Sequence, residues 1–197
     1  VRLWSRDEVL GRRSEAEIRQ VGLEGLALDL ARWGCRDPTE LFWLDPPPAG
    51  AWAAARQRLL HLGAIGVDGG ISERGARLAR LPLPPELAAL VWLGREDGLP
   101  LSAARLAVLL SEPAPGLDRE LDLAVRLSRF AARSGDWPAL HQLTQRLIGH
   151  RTADNAADQS GDAGWLLAQA FADRLARRRE GEAPRYLLAD GSGARLP

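Results

Sequence analysis

All 26 side chains with a fixed positive charge in this 197-residue chain are arginines; there is no lysine, and 26 Asp and Glu balance them. A guanidinium is a planar fork that fits phosphate and carboxylate oxygens and stays charged throughout the physiological range. Arg119, Arg126, Arg129 and Arg133 fall within an arc of about 80° on a helix predicted over 117–134, at 100° per residue. Such a row suits a phosphate backbone, gripped through salt-sensitive contacts without base preference. Asp118 and Asp122 border the same arc, so a solvated face of ion pairs is the competing reading. A second group, Arg174, Arg177, Arg178 and Arg179, ends a helix predicted over 163–178. There it either complements the helix dipole or, through Arg177 and Arg178, reaches nucleic acid.

Other chemistries lack their residues. Without Lys there is no G-K-[ST] phosphate loop and no Schiff base. The single Cys35 excludes a disulfide framework and a thiolate zinc site. His61, His141 and His150 stand apart, with no metal-ligand spacing. The chain itself is therefore expected to be no enzyme and to hold no cofactor or metal. With net charge zero, any nucleic-acid binding must come from local Arg patterning. The absence of Met predicts that Val1 lies inside a longer protein. Apolar runs such as ELAALVWL fall far short of the ~20 residues a membrane span needs, and no signal peptide is visible. A cytoplasmic chain without a membrane partner is expected.

The elements that must position these residues are mostly helical. A helix is predicted over 14–33, capped by Ser14 and Glu17 and ended by Gly34. A short helix follows at Pro38–Trp43 with Asp37 as its cap. Then LDPPP (44–48) opens a third helix reaching Leu62, with Trp52, Ala55 and Leu59 on one face. AIGVDGGI (64–71) carries an Asp-Gly-Gly turn between two short β-capable pieces, and Ser72 caps a helix to about Leu81. That order predicts a winged helix. From Pro84 the pattern gives helices over 84–96, 101–111, 117–134, 137–150 and 163–178, with a polar, mobile loop over 151–162. RYLLADGSGARL predicts a strand, a turn and a second strand. The fold class expected is mainly α: a winged-helix domain with a small β-wing, a helical bundle, and a short C-terminal β-hairpin. Trp33, Trp52 and Trp92 are expected in the core, and Trp4 and Trp43 partly exposed at element ends.

Asp45–Pro48, Leu62–Ile65, Asp68–Gly70, Ile71–Gly75 and Pro82–Leu87 together resemble the helicase-associated region of DEAH-box helicases. LAVLLSE (106–112), LLAQAFADRLARRR (166–179) and YLLADGSGA (186–194) narrow the resemblance to the HrpB-type bacterial subgroup. The resemblance implies the C-terminal, non-motor part of an ATP-dependent RNA helicase. Its parts would be the tail of a RecA-like motor domain (1–13), a winged helix (14–83), a helical ratchet (84–150), a flexible loop (151–162) and the start of a C-terminal β domain (163–197). It also implies that the parent uses ATP and Mg2+. The partners implied are the parent's motor domains and single-stranded RNA, or DNA. Asp45, Pro46, Pro47 and Pro48 would form a rigid interdomain pivot, though a stiff helix-start turn accounts for the same residues. Three positions depart from the family pattern: Ser72 for Thr, Pro84 for His, and Ala89 for a basic residue. The alternative function is a protein-interaction module without nucleic-acid contact.

Overall fold

The computed structural model describes residues 15–133, 135–149, 163–180, 185–189 and 191–195. The motor tail expected at 1–13, the Ser14 cap and the loop expected at 151–162 lie outside them. Helix α1 spans Glu24–Trp33, shorter than the predicted 14–33. Val21 and Gly22, both weak helix formers, part it from a single 3-10 turn at Glu17–Arg19. Leu23, Ala27, Leu28, Leu30 and Ala31 point inward, whereas Trp33, expected in the core, is 79% exposed. The apolar stripe of α1 is wider than the surface that covers it, and Trp33 falls at its uncovered edge. Asp37 caps a 3-10 turn at Pro38–Glu40, its carboxylate accepting Thr39 N–H at 2.9 Å.

Helix α2, Ala49–His61, begins directly after Pro48 and buries Ala55 and Leu59 against α1. The expected wing reduces to one antiparallel bridge, Ile65 with Ile71, closed by Gly66 N–H donating to Gly70 O. Helix α3, Glu73–Leu78, stops short of the expected Leu81. Its cap is Ser72, whose hydroxyl accepts Gly75 N–H at 2.9 Å and donates to Gly63 O at 2.6 Å. The turn before the wing and the helix after it are thus joined through one oxygen. A Cβ on Gly75 would lie 2.0 Å from the Ala64 carbonyl oxygen, so only glycine lets α3 approach that backbone.

Helices α4 (Pro85–Glu96), α5 (Pro100–Ser111), α6 (Leu123–Ala132), α7 (Pro138–Ile148) and α8 (Ala163–Ala170) build a second core around Leu90, Leu106, Phe130, Leu147 and Leu166. Helix α4 belongs to both cores: Ala88 and Ala89 face the first, Leu87, Leu90 and Val91 the second. Ala89 is fully buried, so the basic residue usual in the resembled family has no solvent here. Helix α8 ends at Ala170, not at 178. A 3-10 turn, Ala172–Arg174, breaks it, and Ala176–Arg178 is strand β1. With β2 (Arg185–Leu188) and β3 (Gly193–Arg195) it forms an antiparallel sheet in the order β1-β2-β3. The C-terminal element is therefore a three-stranded meander instead of the expected hairpin.

The base of the sheet meets the first core across a cleft of about 430 Å³ lined by Arg58, His61, Glu86, Phe171, Asp173 and Arg174. Arg58 on α2 donates from Nη1 to Glu24 Oε1, and its Nε lies 3.6 Å from Asp173 Oδ2. Glu24 is buried, and its hydrogen bond holds the Arg58 guanidinium above its ordinary pKa. Burial pushes the Glu86 carboxyl above its ordinary range; Glu24 adds to this, while Arg58 and Arg174 oppose it.

Two predictions follow from these contacts. Gly75→Ala should destabilise the chain by about 2–3 kcal/mol in urea unfolding, because neither backbone can retreat. Glu86→Gln should raise the melting temperature at about pH 7. The folded carboxyl titrates above the unfolded one, so wild-type stability falls as pH rises through that window and stays lowered above it. The advantage of the Gln variant should vanish below about pH 3, where Glu86 is protonated in both states.

Candidate nucleic-acid interface

Helix α6 starts at Leu123 because Asp122 caps it, its carboxylate accepting Ala124 N–H at 2.8 Å and Val125 N–H at 3.3 Å. Arg119 therefore lies outside the helix, exposed in the preceding turn. Leu121 is 84% exposed, whereas Leu127 and Phe130 are buried. Arg126 borders that buried side. It donates from Nη2 to Leu109 O at 3.1 Å, satisfying a carbonyl left open in the last turn of α5. Arg95 does the same for Leu147 O at the end of α7. Arg129 stands 3.5 Å from Glu120, and Arg133 4.0 Å from Asp136. The predicted row is thus not one free strip of charge: one member supports the bundle and two hold carboxylates.

The sheet gathers what the helix does not. Arg178 pairs with Tyr186 and Arg177 with Leu187 across β1 and β2, and Arg185 pairs with Arg195 across β2 and β3. Arg179 N–H donates to Arg185 O at 2.8 Å, extending the same register by one position. Side chains alternate between sheet faces, and directly opposed residues share one. Arg179, Arg185 and Arg195 therefore form a row across all three strands, with Arg177 on the same face. Arg178 lies on the other face beside Tyr186. All five arginines are exposed, and none of the four on the shared face is ion-paired with a described residue. A shallow groove of about 320 Å³ runs along Arg179, Arg185, Tyr186 and Arg195. Like charges directly opposed across strands are destabilising, so an anion in this groove would remove a repulsion the free sheet carries.

The sequence reading reached Arg177 and Arg178 but placed them on a helix end, and it missed Arg185 and Arg195. The available signal was ARR followed nine residues later by RYLL, two strand-length pieces whose pairing lines up their arginines. Asp45, Pro46, Pro47 and Pro48 do precede α2 as a stiff segment, with Asp45 4.0 Å from Arg19. Just before them, Trp43 is anchored by its Nε1–H donating to Pro38 O at 2.6 Å, while Phe42 and Leu44 are fully exposed.

His141 stacks on Phe130 at 4.1 Å, and burial holds its imidazole below the ordinary value, with Arg105 adding to the effect. Among the described residues no three His, Cys, Asp or Glu gather as metal ligands, and the sequence has no Lys to bridge phosphates. No helix among the described residues is long and apolar enough to cross a membrane.

No protein-family model matches the chain. It is 40% identical to the ATP-dependent RNA helicase HrpB of Escherichia coli over 93% of its own length and 22% of that protein's. It is 30% identical to the probable ATP-dependent RNA helicase DHR2 of Saccharomyces cerevisiae, over 68% of this chain and 19% of that one. A crystal structure of the E. coli DExH-box NTPase HrpB superposes on it with a TM-score of 0.76 at 38% identity, covering 93% of this chain and 22% of that one. The chain is therefore a fragment of an HrpB-type helicase, and it spans about a fifth of the length of the relatives it matches.

Proposed function

We propose that this chain is the accessory, non-motor region of an ATP-dependent RNA helicase, and that it couples movement of RecA-like motor domains to single-stranded RNA. The observation that carries the reading is the Arg179–Arg185–Arg195 row, with Arg177 beside it: four exposed guanidiniums on one sheet face without carboxylate partners among the described residues. In this role the row holds successive phosphates and reads no bases, as a translocating enzyme requires. Arg119 is the remaining exposed arginine of the helical group without a described partner, and it serves as a secondary contact.

Residues 14–83 act as the winged helix and 84–150 as the ratchet, joined through α4. Asp45–Pro48 is the pivot: three prolines fix the angle at which motor movement enters α2. ATP and Mg2+ are held by the motor domains of the parent. The runner-up role, docking on protein, is favoured by Phe42 and Leu44, two fully exposed apolar side chains on a segment stiffened by Trp43 and the prolines. The protein so docked is the motor of the same parent.

Two variants separate the sheet from the helix. With Arg179, Arg185 and Arg195 changed to Gln, affinity for a fluorescein-labelled single-stranded RNA should fall at least tenfold at low salt, since several phosphate contacts disappear. Arg129→Gln with Arg133→Gln should weaken binding by less than threefold, because both side chains are already engaged by carboxylates. Unchanged affinity in the sheet variant would remove the sheet from the RNA path.

A further inference from the structure

No residue of the sheet belongs to either hydrophobic core. Its orientation must be set otherwise, and the cleft beneath it shows how. The chain leaves the second core at Phe171, turns through Ala172–Arg174 and enters β1. Ala189 N–H donates to Leu175 O at 2.8 Å, closing the base of the sheet on the end of that turn. Asp173, in the turn, faces Arg58 of α2 across the cleft. Arg58 is itself fixed from the other side by the buried Glu24 of α1.

We infer that Arg58 is a positioning residue: held by Glu24 and reaching Asp173, it sets the angle of the Arg-rich sheet to the helices through a charged bridge across an open cleft. An apolar contact there would be permanent, whereas this bridge is breakable. Arg58 and Asp173 are each 41% exposed, and pairs so wetted contribute little and weaken with salt. The guanidinium fork is what allows one side chain to serve two carboxylates from different nitrogens.

The remaining charged groups on the cleft bias the same bridge. Glu86 of α4 draws on Arg58 when ionised. Arg174 lies over the Phe171 ring at 5.0 Å and faces Glu86 from the turn. His61 of α2, 3.3 Å from Gln57, lines the opposite wall. The inference concerns orientation alone, and it stands whether or not the sheet binds RNA.

The test is a pair of spin labels on the 197-residue chain, one on the half-buried Cys35 just after α1 and one at Ala194→Cys on β3, read as a distance distribution without nucleic acid. The wild-type background should give a narrow component at low salt. Asp173→Asn leaves the Glu24 pair intact and should reduce that component by about threefold to fivefold. High salt should broaden the wild type toward the variant, and Asp173→Glu should restore the narrow component. Arg58→Lys, a point charge that keeps Glu24 but cannot serve both carboxylates, should behave as Asp173→Asn does. A narrow distribution in Asp173→Asn equal to wild type at both salts would overturn the inference. So would broadening that Asp173→Glu does not reverse.

Discussion

Helix α4 has no free face to spare, and the rest of the fold is arranged around that constraint. Five consecutive residues, Leu87 to Val91, are each no more than 6% exposed. A helix buried on every side needs different side chains for different neighbours. Its alanines admit α1 and the wing region closely, and its leucines and valine fill the bundle formed with α5, α7 and α8. Gly94 continues the logic, since a Cβ there would lie 2.2 Å from Ala103 Cβ on α5. Two cores that share one helix cannot shift independently without breaking one of them. Under the proposed coupling role, motion imposed on α1 and α2 would pass into the bundle through that shared helix.

The sheet is the exception to this rigidity. It takes part in neither core, carries like charges in a row, and meets the first core through an ion-paired bridge over a cleft. In the role proposed here, helices that share a core would transmit movement and the charged sheet above them would hold a polyanion. The arginines divide likewise. Arg95 and Arg126 close helix ends, Arg58 bridges elements, Arg129 and Arg133 sit beside carboxylates, and the sheet arginines Arg177, Arg179, Arg185 and Arg195 have no carboxylate partner among the described residues. With no Lys in the chain, one side-chain type covers all of these tasks, and only position separates structural from functional use.

Much of the helical plan was legible in the sequence, because Pro, Gly and capping residues punctuate it. Pro85, Pro100 and Pro138 each sit at a helix start, Asp37 and Ser72 cap as their spacing predicts, and α1 ends at Gly34. The failures have physical causes. LARRR continues a good helix-forming pattern, so its switch to a strand is dictated by pairing with RYLL, which local propensity does not register. Asp118 and Asp122 both border the Arg arc, yet only the folded chain reveals that Asp122 caps the helix and so excludes Arg119 from it. Trp33 reads as core by periodicity and lies exposed because no described residue covers that edge of α1. The sheet row was invisible for a further reason: it is a property of register across three strands, and no single stretch of sequence contains it.

The most direct test of the account is the salt dependence of RNA binding by the unmodified chain. Labelled single-stranded RNA of several sequences would be titrated at stepped salt concentrations and followed by anisotropy. Three or four phosphate contacts predict a slope of log affinity against log salt of about −2 to −3, with little sequence preference. Absence of binding at low salt, or binding indifferent to salt, would contradict a phosphate-gripping sheet.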